Sequence, residues 1–342
     1  MLSIARYAES NAVTRAMLSE FLSPQDFQDL LRAAPAEAWA VLSRTAYGPS
    51  LPETAVADPL GVDALLRHAA AQRFKRAIRT LKGRARAVGR ILLSRWDLDN
   101  LEYALRVWHK KETALQQYLS TQSLVHDVRV LDVCAAQSIR AVAEVLKRSP
   151  YFEPVSLSAA LYESEASTFH VEVALEKDYY ARLLAALAAL GKTETREGQN
   201  IVALEIDLLN LSWLARLRQA EVPEALLRSC MVPGPSALSK RLAASDLSAK
   251  TLAEAGLQLL GDAGGGPGAS ELERIALLES LLTTTAAATA RKLLSGFPFH
   301  IGCVFAFYLL IRLELRNLRA VFAGKAAGAG ENEIRARLYG LE

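Results

Sequence analysis

The chain has few cysteines and no apolar segment of signal-peptide length at its start. Cys134, Cys230 and Cys303 are the only cysteines in 342 residues, and they lie far apart. This spacing argues against a disulfide framework and against a zinc site, and it favours a reducing compartment such as the cytosol. Because residues 1–6 carry no apolar core of the kind that directs secretion, we expect no export by that route.

A clear membrane span is also missing. The stretch from Leu293 to Ile311 has no charged residue and approaches the ~20 apolar residues of a membrane-spanning helix. However, Ser295-Gly296-Phe297-Pro298 should interrupt a helix there. The remaining residues 298–311 would form a helix only ~21 Å long at 1.5 Å per residue. We therefore predict a buried core helix, and we interpret His300 as a core or boundary histidine.

Sequence patterns for catalysis are absent too. Residues 234–238 begin like a nucleophile elbow but lack its closing glycine. Gly324-Lys325 lacks the Ser or Thr of a phosphate loop and follows a helical pattern, so we interpret Gly324 as a left-handed helix stop. The histidines have no metal-protease spacing; they are His68, His109, His126, His170 and His300. We predict no catalytic residue, no cofactor, no metal ion and no small-molecule substrate.

A short pattern occurs three times: an acid, a leucine one residue later, an asparagine three later and a leucine four later. The copies are Asp97-Leu98-Asp99-Asn100-Leu101, Asp207-Leu208-Leu209-Asn210-Leu211 and Glu314-Leu315-Arg316-Asn317-Leu318. The asparagines are separated by 110 and 107 residues, and the whole chain contains only six. The chain is therefore predicted to be a tandem triplication.

Helix geometry explains the chemistry of this pattern. Residues three apart share a helix face, so the leucines form an apolar stripe beside a polar stripe of acid and asparagine. Each copy lies at the border of a buried face, where an unpaired amide costs roughly 1–3 kcal/mol. We interpret the pattern as an internal docking device, with a partner contact as the alternative. The predicted docking residues are Asp97, Asn100, Leu101, Asp207, Asn210, Leu211, Glu314, Asn317 and Leu318.

The spacing predicts three helical domains, at residues 1–119, 120–228 and 229–342. Apolar residues recur with the helical period, for example across 116–146, and no segment alternates like a strand. Ser23-Pro24-Gln25-Asp26 is typical of a capping box that starts a helix ending near Ala34-Pro35. The glycine-rich segment 261–268 predicts a flexible loop. We therefore predict an all-α protein.

Charge is concentrated between Ala64 and Trp96. This stretch has ten basic residues and no acid, which leaves −7 on the rest of a chain whose net charge is +3. Such a field indicates either an anionic partner or a solvated face paired with acids of the same chain. The candidate partner contacts are Arg67, Arg73, Lys75, Arg76, Arg79, Lys82, Arg84, Arg86 and Arg90, and Arg95 completes the ten.

Several segments resemble the C subunit of the archaeal and bacterial A/V-type ATPases, whose eukaryotic counterpart is the d subunit of the vacuolar proton pump. The resemblance is carried by the stretch from Arg312 to Lys325 with Glu333-Ile334 after it, by Trp96 to Leu101, and by Cys230 to Gly234. At the amino terminus it includes residues 7–15, Leu30-Leu31 and 42–48. The likeness extends from end to end, although Ala46-Tyr47 and the loop at 261–268 depart from the family pattern.

This resemblance implies three related helical domains in a pseudo-threefold funnel. It also implies a non-enzymatic central-stalk rotor protein, peripheral on the cytoplasmic face of the membrane. The expected partners are the central shaft, received in the funnel, and the membrane proteolipid ring, so that the protein couples ion transport to ATP synthesis or hydrolysis. The basic stretch would then face acidic shaft residues, ring loops or anionic lipid headgroups. The competing hypothesis is a soluble helical protein that binds nucleic acid through residues 64–96.

Overall fold

Every regular element in the described part of the chain is helical. The computed structural model describes residues 2–52, 58–243, 270–297 and 299–340, and it contains no β-strand within them, in agreement with the all-α prediction. In chain order the α-helices are α1 (Leu2–Leu18), α2 (Pro24–Arg32), α3 (Pro35–Ser43), α4 (Pro59–Ala77), α5 (Gly83–Lys110), α6 (Val130–Ala135), α7 (Ile139–Val145), α8 (Phe152–Glu165), α9 (Phe169–Ala188), α10 (Lys192–Gln219), α11 (Glu224–Cys230), α12 (Ala237–Ala243), α13 (Glu271–Ser295), α14 (Gly302–Ala326) and α15 (Glu331–Arg335). Short 3₁₀ helices occur at Gly48–Ser50 and Thr113–Tyr118.

Six long helices form the frame, and each packs against the next in a closed cycle. The cycle runs α4, α5, α9, α10, α13, α14 and back to α4. The aromatic side chains of Phe74, Trp96 and Tyr308 meet where α4, α5 and α14 join, with ring centroids 5.3–5.6 Å apart. Buried apolar side chains from all the long helices form one continuous core.

Neighbouring long helices are antiparallel. Between α5 and α9, Arg95 pairs with Glu176, whereas the later Arg106 pairs with the earlier Glu172. Between α14 and α4, the same reversed order joins Glu314 to Arg73 and Arg319 to Asp63. The turns α4–α5, α9–α10 and α13–α14 consequently lie at the same end of the frame. We name this end the turn end and define it by residues 78–84, 189–192, 292–297 and 299–301.

The capping residues predicted at the start of α2 form the expected hydrogen bonds. The hydroxyl of Ser23 accepts from the Asp26 N–H at 3.1 Å, and the Asp26 carboxylate accepts from the Ser23 N–H at 2.7 Å. This reciprocal pair confirms the predicted capping box, and α2 stops at Arg32 as expected. Phe27, Leu30 and Leu31 form its buried face.

Three local predictions differ from the structure. Residues 119–129 are irregular rather than helical, because their backbone binds the side chains of α5. Helix α14 begins at Gly302 rather than at Pro298, which lies outside the described residues, as does the loop at 261–268. Gly324 lies inside α14, and the left-handed residue after that helix is Gly328, at φ +71°. A Cβ at Gly324 would come within 2.6 Å of the Ile334 side chain, so close packing against α15 accounts for this glycine.

Candidate functional site

The asparagine makes the same two-point contact in all three copies of the repeated pattern. In α5, Nδ2 of Asn100 donates to the Ser120 carbonyl at 2.8 Å, and its Oδ1 accepts from the Ser120 N–H at 3.0 Å. Asn210 of α10 pairs with Val232 at 2.9 and 2.8 Å, and Asn317 of α14 pairs with Tyr339 at 2.8 and 3.1 Å. The partner lies 20 to 22 residues after the asparagine in each case.

The acid makes a different contact in each copy. The Asp97 carboxylate accepts from the backbone N–H groups of Leu124, Val125 and His126 at 2.7, 2.8 and 3.1 Å. Asp207 instead accepts from two hydroxyls, at 2.7 Å from Ser236 and 2.5 Å from Ser239. In both copies the acid binds a segment that comes later in the chain than its own long-helix hairpin.

Glu314, the acid of the third copy, contacts the opposite end of the chain. It accepts from the Leu22 N–H at 2.6 Å and from the Tyr47 hydroxyl at 2.7 Å, and it pairs with Arg73 at 2.5 Å. Only 6% of the Arg73 side chain is exposed. Burial and then Glu314 raise the pKa of Tyr47 well above its ordinary value, so the phenol stays a proton donor to the carboxylate. The third copy therefore fastens the carboxyl-terminal helix hairpin to the amino-terminal helices.

All nine predicted docking residues are buried. Their side chains form hydrogen bonds or apolar contacts inside the chain, so the structure places them away from any free surface; they are Asp97, Asn100, Leu101, Asp207, Asn210, Leu211, Glu314, Asn317 and Leu318. Burial raises the pKa of Asp97 and of Asp207, although their hydrogen-bond donors oppose the shift.

The residues two positions before each acid form a partly buried charged cluster. These residues are Arg95, Glu205 and Arg312, one from each copy. Arg95 and Arg312 both bind the carboxylate of Asp99, at 2.6 and 3.2 Å. Arg95 also grips Glu176 of α9 through two contacts of 2.5 and 2.7 Å. The cluster thus ties α5, α9 and α14 together at mid-height.

The carboxyl groups around these arginines have opposite pKa shifts. Burial alone would raise the pKa of Asp99, yet Arg95 and Arg312 together lower it below its ordinary value. Burial raises the pKa of Glu205 to about 7, against the opposing effect of Arg312 and then Arg95. Both arginines therefore act on the Glu205 carboxyl group, and both also bind the carboxylate of Asp99.

The basic stretch is divided between the interior and the surface. Arg73 and Arg95 are buried in ion pairs with Glu314 and Glu176, so they cannot serve as contacts for an external partner. Arg67 pairs with Asp63 at 2.9 Å and Arg76 with Glu20. Arg84 and Arg90 donate to the carbonyls of Ala189 and Val125. Among the described residues no acid pairs with the remaining exposed cations, Lys75, Arg79, Lys82 and Arg86.

Most of the exposed cations line one groove. This basic groove, of about 720 Å³, lies between α4, the first turns of α5 and the segment 46–50. Glu20 is the single acid of its lining, whereas the basic side chains are Arg73, Lys75, Arg76, Arg79, Arg86 and Arg90. Lys82, Arg84 and Arg67 lie outside it. The geometry fits a partner that carries several negative charges.

Sequence reasoning missed the residues that pair with the buried arginines. Glu176 and Tyr47 lie in the interior and come from parts of the chain outside the repeated pattern, whereas the partly buried Asp99 lies within its first copy at a position that the pattern does not specify. One signal was present: the position two before each acid carries a charge in every copy. The pattern did not include that position because its charge changes sign between copies.

Within the described residues there is no group of three metal-ligating side chains that could hold an ion. His300 accepts from the Gly302 N–H at 3.0 Å through Nδ1, which fits its interpretation as a boundary histidine. Across the same part of the chain, no helix is both long enough and apolar enough to cross a membrane.

Comparisons with known proteins agree on one family. A family model described as the ATP synthase (C/AC39) subunit matches residues 10–337. The chain is 24% identical over 331 residues to the A-type ATP synthase C subunit of Thermococcus gammatolerans, covering 96% of this chain and 88% of that protein. It is 24% identical over 344 residues to the corresponding protein of Archaeoglobus fulgidus, with coverage of 98% and 96%. For that of Halorubrum lacusprofundi the identity is 26% over 349 residues, with coverage of 96% and 95%.

Proposed function

The chain belongs to the ATP synthase (C/AC39) subunit family, and we propose that it is a non-enzymatic coupling protein in the central stalk of a rotary ATPase. In this role it joins the central shaft to the membrane proteolipid ring, on the cytoplasmic side, and transmits torque between ATP turnover and ion transport. A torque-transmitting joint has to be stiff, and densely packed long helices resist deformation.

The observation that carries this proposal is the meeting of Arg95, Glu205 and Arg312. These equivalent positions are about one repeat apart in sequence, yet Arg95 and Arg312 share the Asp99 carboxylate, and the charges of both arginines oppose the rise in the pKa of Glu205. Three equivalent positions meet in this way when their helices are arranged around an axis. We therefore propose a pseudo-threefold arrangement of units 1–119, 120–228 and 229–342 that forms a funnel around this cluster and receives the shaft.

The repeated acid and asparagine support the same arrangement. In the first two copies the acid binds the start of the next unit, and in the third copy Glu314 binds the start of the first unit. We propose that the pattern docks each unit onto the following one and closes the circle. The boundary at 119–120 follows the 3₁₀ helix at Thr113–Tyr118, whereas the boundary at 228–229 falls within α11. The loop at residues 231–236, directly after α11, is the nearest loop to that boundary.

For the basic groove we propose an acidic surface of another protein of the same complex. Charge complementarity of this kind chiefly speeds association and selects the partner. The proposal uses Lys75, Arg76, Arg79, Arg86 and Arg90, together with the nearby Lys82 and Arg84. Arg73 is withdrawn from the set because Glu314 holds it in the interior.

Co-purification from native membranes in mild detergent tests the function. We expect the tagged chain to bring down catalytic ATPase subunits, the shaft and the proteolipid. Recovery of nucleic acid or of an unrelated enzyme in their place would contradict the proposal.

A groove variant tests the partner contact. Lys75→Gln, Arg79→Gln and Arg86→Gln together should weaken assembly relative to the wild type, and most strongly at low salt, because the lost attraction is least screened there. A matched variant, Arg32→Gln, Lys110→Gln and Lys240→Gln, removes the same charge from exposed positions elsewhere. Equal assembly of the two variants at every salt concentration would refute the groove contact.

A further inference from the structure

The turn end carries three exposed side chains that the proposed function does not use, Lys192, Lys292 and Phe297. Its three turns are close to each other: Arg84 at the start of α5 donates to the Ala189 carbonyl at the end of α9 at 2.7 Å. The second and third turns line opposite sides of one groove of about 850 Å³, with Lys192 on one side and Lys292 and Phe297 on the other. The three turns therefore present one surface.

Phe297 is the most exposed aromatic side chain at the turn end. It is 60% exposed, although it makes ring contacts with Phe299 at 5.5 Å and with His300 at 6.4 Å. The rings of Phe299 and His300 are half-buried, and Phe297 packs against them. An aromatic ring exposed at a turn keeps its apolar surface in water, which is less favourable than having an apolar partner cover it.

Exposed cations lie on all three turns. Lys82, Lys192 and Lys292 contribute one amino group from each turn, and Arg79 and Arg84 add two guanidinium groups. None of the three lysines is paired with an acid within the described ranges of the chain. The groove between the second and third turns also contains two carboxylates, Glu194 and Glu197. Cations therefore outnumber acids on these turns and in the groove that joins them.

We propose that the turn end binds the anionic surface of a phospholipid membrane. The lysines face lipid phosphates, and Phe297 enters the boundary between headgroups and acyl chains, where aromatic side chains are favoured. Juxtamembrane basic residues gain about 1 kcal/mol each from an anionic leaflet, so the three lysines together provide a specific preference for anionic lipid. The inference rests on the proposed function for the presence of a membrane, and it adds which end of the protein faces it.

Vesicle co-sedimentation of the full chain tests this inference. We expect binding to phosphatidylcholine vesicles that contain phosphatidylglycerol and much weaker binding to phosphatidylcholine alone. Lys82→Gln, Lys192→Gln and Lys292→Gln together should weaken binding on the order of 100-fold, since each charge contributes roughly fivefold. The matched control is Arg32→Gln, Lys110→Gln and Lys240→Gln, which removes three exposed cations distant from the turn end and should retain wild-type binding.

The aromatic contribution has its own control. Phe297→Ser should weaken binding to the anionic vesicles, roughly tenfold for the loss of one partly inserted ring. Leu157→Ser changes a side chain that is 75% exposed on α8, away from the turn end, and should have no effect.

Equal binding to the two vesicle types, or equal loss in the two triple variants, would overturn the inference. If the chain fails to bind vesicles but still co-purifies with the ATPase subunits, the lipid contact is wrong and the proposed function stands. If it binds anionic vesicles but recovers no ATPase subunit, the function is wrong instead. A turn-end variant that binds vesicles normally but fails to assemble would identify this end as a protein contact, against the lipid assignment.

Discussion

The three copies of the repeated pattern keep the asparagine contact and change the acid contact. Asn100, Asn210 and Asn317 each pair with one backbone residue 20 to 22 positions later. Asp97 binds backbone N–H groups and Asp207 binds serine hydroxyls, whereas Glu314 binds an arginine, a tyrosine and a backbone N–H from the other end of the chain.

This difference separates a local requirement from a long-range one. A side-chain amide can both donate to and accept from one backbone residue, so asparagine suits a two-point contact wherever it recurs. A carboxylate can accept from many kinds of donor, so the acid can be kept while its partners change. The longer glutamate occurs where the donors come from a distant part of the chain.

Glu314→Gln should cause the largest loss of stability among these variants. It leaves the buried Arg73 with only the partly exposed Glu20, at 3.7 Å, as a counter-charge, which costs up to about 3–5 kcal/mol of unfolding free energy. Urea denaturation measures the loss. Glu163→Gln, which breaks the exposed pair with Arg140 at 2.8 Å, is the control and should leave the urea midpoint nearly unchanged.

A double variant sharpens this result. Arg73→Met with Glu314→Met removes both buried charges and should be less destabilising than Glu314→Gln alone. If the double variant is the more unstable, the carboxylate acts mainly through Leu22 and Tyr47 rather than through the arginine.

Asn210→Ala should cost roughly 2–3 kcal/mol, because it leaves the N–H and carbonyl of Val232 without a partner in the interior. Asn100→Ala and Asn317→Ala should have similar effects if the asparagine contact is equivalent in the three copies. The exposed Asn200→Ala is the control. If thermal unfolding showed no loss of stability for one of the three variants, the three asparagine contacts would not be equivalent.

Glu205→Gln tests the charged cluster of Arg95, Glu205 and Arg312, which lie two positions before the three acids. Burial raises the pKa of Glu205 from its ordinary 4.5 to about 7, so the folded chain binds this proton more tightly than the unfolded chain between those values. Its contribution to stability is therefore present at pH below 4.5 and is lost as pH rises to 7, about 3 kcal/mol in all. We expect the variant to flatten the pH dependence of urea midpoints in this window; an unchanged slope would place the titration elsewhere.

Ser239→Ala should have the smallest effect, about 1 kcal/mol, because Asp207 keeps the hydroxyl of Ser236. The equivalent contacts of Asp97 come from the backbone and cannot be deleted by substitution. Asp97→Asn should therefore cost more unfolding free energy than Ser239→Ala. The urea midpoints of the two variants compare the backbone donors of Asp97 with the hydroxyl donors of Asp207. Equal costs would show that the choice of donor does not matter.

Sequence periodicity predicted the helical class, and local cap residues predicted both ends of α2, but not every segment followed the prediction. The capping box at Ser23 is local, so its residues report it fully. Residues 119–129 have helical spacing and are irregular, because Asp97 and Asn100 bind their backbone groups in place of helical hydrogen bonds. The Gly324 prediction failed for a related reason: the need for a small residue arose from Ile334, which packs against it.

The division of the basic stretch was also beyond the sequence. Arg73 and Arg79 both lie in one uniformly basic run, yet one is buried against Glu314 and the other is exposed. Charge density indicated an anionic partner for the whole run. Only the packing of α4 against α14 distinguishes the arginines that stabilise the interior from those left for a partner.

The amino-acid sequence by itself determined the all-α class, the threefold repetition of acid and asparagine, and the family, because these depend on local hydrogen bonding and on residue order. Only the tertiary structure decided which acid meets which donor, that Arg95, Glu205 and Arg312 come together, and that the three helix turns share one end. The physical reason is that burial and charge pairing are properties of neighbours in space. Residues as far apart as Leu22 and Glu314 become neighbours only when the helices pack.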